Sequence, residues 1–169
     1  MPNFPDQRPG RDIVQAPAED IRERLRREHE ATLGDIDRLR TELDAQRALR
    51  GLRELRDRWV IHALAEETVV YRALEGGPHG GGVLADQRFV EHELVEGLFE
   101  KLSRVKPGSQ EWAARLNVTR DLIALHIEHE HDDLLARLAR LPAEELAEIG
   151  SRFALACEKL ALLESAKAA

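Results

Sequence analysis

Four long apolar stripes in this chain are each interrupted by a histidine. Side chains on a helix advance ~100° per residue, so residues three or four apart share a face. Ile21, Leu25, Leu33, Ile36 and Leu43 line one face of a segment over about 17–45, and His29 falls among them. Leu52, Leu55, Trp59, Val69, Val70 and Ala73 line a second, with His62 and Glu66 inside the stripe and Glu67 turned off it. Leu84, Phe89, Val95, Phe99 and Leu102 mark a third over about 83–105, where His92 sits inward and Glu96 follows one turn on. A fourth runs over about 110–141 on Leu116, Ile123, Ile127, Leu134 and Leu141. There His126 and Glu130 lie within about 50° of the stripe's centre, while His129 and His131 fall on opposite flanks. A helix must bury its stripe, so these helices carry polar groups inward with it.

The breaks between segments limit the topology. "EGGPHGGG" at 75–82 holds five glycines and a proline, which ends the second helix. "KPGS" at 106–109 ends the third, and Ser109 is placed to cap the fourth. The turn between the first two helices is poorly marked and is expected near 46–51. Pro17 suits a first helical turn, followed by Glu19 and Asp20 at the positive helix end. Pro142 opens a fifth helix with Leu146, Ile149, Phe153, Cys157 and Leu160 on one face. No strand pattern of useful length occurs. Short connections make neighbouring helices antiparallel. The expected fold is all-α: an up-down-up-down four-helix bundle over 17–141, an irregular arm over 1–16 with three prolines, and a C-terminal helix and tail over 142–169.

Composition narrows the function classes. A net charge of -7 argues against nucleic acid as a partner, because phosphate recognition needs a basic surface. No apolar run reaches the ~20 residues that span a bilayer. "MPNFPDQRPG" lacks the apolar core of a signal peptide. The lone Cys157, on an apolar stripe, fits a buried thiol in a reducing cytoplasm.

One His-x-x-x-Glu pair on a helix is most simply a pair of neighbours bonded to each other or to water. Here the pattern is doubled. His29 precedes His62-x-x-x-Glu66 by 33 residues, and His92 precedes His126-x-x-x-Glu130 by 34. Two such hairpins about a pseudo-twofold axis bring four imidazoles and two carboxylates into one interior. Burying six polar groups without partners costs several kcal/mol each, and a metal centre satisfies them together. Mixed imidazole and carboxylate donors suit iron, manganese or zinc, and bundle cores house two-metal sites of this kind. A metal-free bundle, with each histidine and glutamate bonded to the other, is the competing reading.

The "HALAEETVVYRAL" stretch at 62–74 and "HIEHEHDDLLARL" at 126–138 resemble the hemerythrin-like HHE cation-binding family, with matching order, spacing and duplication. The resemblance covers about 20–141. It implies an up-down four-helix bundle holding two non-haem iron ions, oxo- or hydroxo-bridged, with other divalent metals as alternatives. It also implies that His29, His62, His92 and His126 are terminal ligands and that Glu66 and Glu130 bridge. The sequence departs from the oxygen-carrying hemerythrins twice. Glu96 stands where they have a second histidine one turn after the third-helix ligand, and His131 stands where they have an aspartate. Bacterial HHE proteins and iron-sensing domains are the nearer likeness. Open iron positions bind O2, peroxide or nitric oxide, so the implied function is handling of such small ligands, with catalase-like peroxide breakdown as one form of it. The alternative is a sensing module that reads metal occupancy through an unknown protein partner.

Outside the six principal residues, Glu96 is a candidate to complete the coordination. Glu67, His129 and His131 are candidates to orient the ligands from outside. Tyr71 lies opposite the His62 direction on a regular helix, which disfavours a ligand role, while helix curvature can bring it in as a further candidate beside the ligands. His79, in the glycine-rich break, is expected at the surface. Trp59 and Trp112 are expected to pack in the core.

Overall fold

In a computed structural model, residues 19–75 and 82–167 are described. All the regular structure among them is helical. The helices are α1 (Ile21–Thr41), α2 (Ala45–Ala65), α3 (Tyr71–Glu75), α4 (Gly82–Leu102), α5 (Gln110–Asp132), α6 (Leu134–Leu138) and α7 (Ala143–Lys167). Residues 66–70 join α2 to α3 through a π-helical turn. The bundle is therefore built from α1, α2–α3, α4 and α5–α6, with α7 packed on α1, α2 and the π-turn. The expected arm over 1–16, Pro17, His79 and most of the glycine-rich break lie outside the described residues.

Helix ends follow side-chain capping more closely than hydrophobic spacing. α1 starts later than the expected residue 17, because the Asp20 carboxylate accepts from the Arg22 N–H and so caps the helix. The α1–α2 turn falls at 42–44, ahead of its expected place near 46–51. Asp44 caps α2 by accepting from the Arg47 N–H at 2.8 Å, and Leu43, counted on the α1 stripe, is almost fully exposed in that turn. Ser109 caps α5 as its position suggested. The single helix expected over 110–141 is broken at Asp133, whose φ of -110° loosens the coil between α5 and α6.

The interior is layered. One apolar cluster, at the α1–α2 turn end, is built on Ile36, Leu52, Leu55, Trp59, Phe99 and Leu116. The other is built on Ile21, Leu25, Val70, Leu138, Ile149 and Phe153. His29, His62, His92 and His126 lie between the two, all buried. α7 supplies Leu146, Ile149 and Phe153 to the second cluster and so completes that end of the core. Its approach depends on Gly150, where an added Cβ would stand 2.2 Å from the Glu19 carbonyl oxygen. Among the described residues no helix is long and apolar enough to cross a membrane.

Candidate metal centre

Five of the six principal residues expected at the centre are at most 4 % exposed, and the sixth, His62, is 6 % exposed. The Nε2 atoms of His29 and His62 are 3.0 Å apart, and those of His92 and His126 are 3.3 Å apart. Glu66 lies between the pairs. Its Oε1 is 3.3 Å from His62 Nε2 and 3.8 Å from His29 Nε2, and its Oε2 is 3.4 Å from His92 Nε2. Glu130 Oε2 is 3.3 Å from His29 Nε2 and 3.6 Å from His126 Nε2. Ligand atoms of His29, Glu66, His126 and Glu130 all lie within 4.8 Å of one another, a grouping that can hold a metal ion.

Two carboxylate oxygens in this cluster, Glu66 Oε1 and Glu130 Oε2, are buried without a hydrogen-bond partner. An orphaned buried acceptor costs about 1–3 kcal/mol, and more when it is charged. Nearby imidazole nitrogens stand within ion-pair distance yet leave both oxygens unbonded. Hard oxygen donors grouped with imidazole nitrogens are the donor set that first-row metal ions accept, so the residues fit a metal on this chain's own geometry.

Electrostatics set the cluster's protonation. Burial pulls the His62 imidazole down, but Glu66 and Glu28 overcome it and raise it to about 10. His92 is likewise lowered by burial and raised to about 9 by Glu66 and Glu67. Burial raises Glu66, yet the imidazolium charge of His62 and its neighbours holds it well below the ordinary carboxylate range. Glu130 is raised by burial and by Glu66, and the opposing pull of His126 and His29 leaves it lowered.

A ring of outer carboxylates stands behind the histidines. His62 Nδ1 is 2.8 Å from Glu28 Oε2, and His92 Nδ1 is 2.8 Å from Glu67 Oε1. His126 Nδ1 is 3.0 Å from Glu91 Oε2. Glu91 also meets the Arg88 guanidinium at 2.6 Å and His129 Nδ1 at 2.9 Å. Neither Glu28 nor Glu91 stands out from helical phase alone. A signal was present: the dipeptide "EH" at 28–29 and again at 91–92 doubles in register with the His-x-x-x-Glu repeat. Each glutamate serves the histidine of the partner helix, a cross-helix pairing that helical phase does not reveal.

Tyr71, disfavoured as a ligand by regular helical phase, reaches the site from beside the ligands. Its hydroxyl donates to Glu130 Oε1 at 2.5 Å and stands 3.5 Å from Glu66 Oε2. A straight α-helix would turn it away, but residues 66–70 form a π-turn, with the Tyr71 N–H bonded to the Glu66 carbonyl oxygen five residues back. The extra residue per turn rotates everything after it and brings Tyr71 and Leu74 into the buried interior. Burial and the charges of Glu130 and Glu66 push the phenol well above 10.

The remaining candidates are scattered. Glu96 is half-buried, and burial with the charge of Glu67 raises its carboxyl against the opposing pull of His92; among the described residues no hydrogen bond or ion pair joins it to the six principal residues. His131 is exposed and reaches only Asp132, at 4.0 Å. Trp59 does more than fill the core, since its ring stands edge-on to His92 and His126 with centroids 5.6 and 5.4 Å away.

The model of the hemerythrin HHE cation binding domain matches residues 20–138. The chain belongs to the hemerythrin HHE cation-binding family. The match begins at the Asp20 cap and ends at Leu138, the last residue of α6, so the family's domain takes in all four bundle segments and leaves α7 outside. No curated protein and no solved structure matches the chain significantly.

Proposed function

We propose that this protein is a non-haem di-iron protein of the cytoplasm that handles O2, peroxide or nitric oxide at its metal centre. The observation that carries the reading is the pair of unpartnered carboxylate oxygens on Glu66 and Glu130, buried among the Nε2 atoms of four histidines. His29 and His62 would hold one metal, His92 and His126 the other, with Glu66 and Glu130 shared between them. When bound, iron supplies Lewis acidity and one-electron redox chemistry toward a small ligand.

The chain's own residues prepare that site. In the metal-free protein His62 and His92 hold protons, as their raised values require, and loading must displace them. Glu28, Glu67 and Glu91 fix the imidazole rings from behind, so that each Nε2 faces inward. Tyr71 donates to Glu130 Oε1 and leaves Oε2 facing His29 and His126. Trp59 walls the site on one side, its ring edge-on to His92 and His126.

A second reading is favoured by α7. The Phe153 ring meets the His62 ring edge-on at 6.0 Å, and the Arg24 guanidinium covers Phe153 at 5.2 Å while bonding Glu28. A helix docked so directly on a candidate ligand can report metal occupancy to a partner, which is the behaviour of a sensing module.

Iron-supplemented expression followed by elemental analysis tests the main reading. Two irons per chain, with the affected iron lost in His62→Ala or His126→Ala, support it. Less than one iron, with a melting point unchanged by chelation, overturns both readings. Consumption of added peroxide by the purified protein then favours an enzyme over a sensor.

A further inference from the structure

The outer carboxylates are not distributed evenly, and this inference rests on the two-metal reading above. The repeat that relates the hairpins maps Glu28 to Glu91, since each directly precedes a stripe histidine and meets the histidine of the following helix. It maps Glu67, which directly follows Glu66, to His131, which directly follows Glu130. Glu67 meets His92. The corresponding partner of His29 would stand at 131, but His131 is exposed and turned toward Asp132. Three of the four histidines thus have a carboxylate at Nδ1; His29 has none among the described residues. The backing is also unequal in rigidity. Glu91 is buried and held by Arg88, itself buried, and by His129. Glu28 is part-exposed, and besides His62 its partner among the described residues is Arg24, also part-exposed.

A carboxylate at Nδ1 fixes the ring's tautomer and orientation and makes Nε2 a better donor, and losing such a partner typically lowers metal affinity about 10–100-fold. We propose that the two metal positions are unequal: the His92/His126 position holds metal tightly, the His29/His62 position exchanges it, and the missing carboxylate at position 131 is the cause. One hairpin then retains a resident metal while the other, the one that α7 covers, is free to load and unload.

Anaerobic titration of the full metal-free chain with ferrous iron, followed by calorimetry, tests this without reference to activity. The parent chain should take up iron in two steps whose dissociation constants differ by about tenfold or more. His29→Ala should lose the weak step and keep the tight one, and His126→Ala should lose the tight one. Glu91→Gln should loosen the tight step and narrow the gap. Glu28→Gln, which removes the same charge from the same neighbourhood, should loosen the weak step and widen it. His131→Glu, a surface change that leaves the core intact, should tighten the weak step. Two equal steps in the parent chain, loss of the tight step in His29→Ala, or an unchanged gap in His131→Glu would overturn the inequality or its cause while leaving the two-metal reading standing. No iron uptake at all would overturn both.

Discussion

The two hairpins carry the same signature and build it into unlike surroundings. In each, a histidine on the first helix meets a His-x-x-x-Glu helix, and the coil becomes irregular after the glutamate: a π-turn follows Glu66, and a loosened turn at Asp133 follows Glu130. The first hairpin uses its irregularity to swing Tyr71 onto the second hairpin's glutamate, and it is roofed by α7. The second carries the Arg88–Glu91–His129 clamp. Duplication therefore preserved the donors and let their supports diverge. The lesson is that an internal repeat predicts which residues converge, and does not predict that they will be held equally.

The sharpest way to test that comparison is to remove a donor from each half. His62→Ala or His126→Ala should abolish iron loading at the affected position. Loss of saturating metal, worth about 4 kcal/mol at a thousandfold excess over Kd, should lower the melting temperature by roughly 10 °C in a chain of this size. Elemental analysis with thermal scans checks both numbers, and an unchanged melting temperature would count against metal as a structural element.

The supports should differ next. Arg88→Ala leaves Glu91 buried beside two histidines without its cation, and breaking a buried pair costs about 3–5 kcal/mol. Arg24→Ala, the nearest equivalent in the first hairpin, removes a part-exposed pair and a cation–π contact, which together are worth about 1 kcal/mol. Urea unfolding of the two variants should therefore separate by more than 1 M; equal midpoints would erase the distinction between clamp and roof.

Gly150→Ala tests the roof. The new methyl cannot coexist with the Glu19 carbonyl oxygen at 2.2 Å, and overpacking of this kind costs about 1–3 kcal/mol. Fluorescence of Trp59, between the hairpins, should register the displacement of α7. Tyr71→Phe is a smaller change. It deprives Glu130 of its hydrogen-bonded hydroxyl at a cost of about 1–3 kcal/mol, and it should weaken metal binding in both halves, because Glu130 is shared.

The last effect concerns pH. His62 is raised to about 10 and His92 to about 9 in the metal-free protein, against an unfolded value of 6.5. A raised imidazole stabilises the fold fully below pH 6.5 and loses that contribution as pH climbs through the folded value. The metal-free chain should therefore melt several degrees lower at pH 10 than at pH 6. Metal affinity should rise over the same window, as displaced protons no longer compete. A flat melting profile between pH 6 and 10 would show that neither histidine holds its proton in the folded, metal-free state.

The sequence by itself determined the bundle and the six residues that meet at its centre. Both are readable because helical phase and repeat spacing are local, arithmetic properties: His126 and Glu130 face inward for the same reason that Ile123 does. What the sequence left undecided lay where one helix acts on another. The α1–α2 turn was misplaced because an aspartate cap outweighed a leucine in the stripe. Regular helical phase disfavours Tyr71 at the centre, and the π-turn over residues 66–70 breaks that phase. Glu28 and Glu91 went unnoticed because their partners sit on neighbouring helices, at a distance that only packing fixes. Tertiary structure chose the supports of the site, and through them how firmly each of its side chains is held.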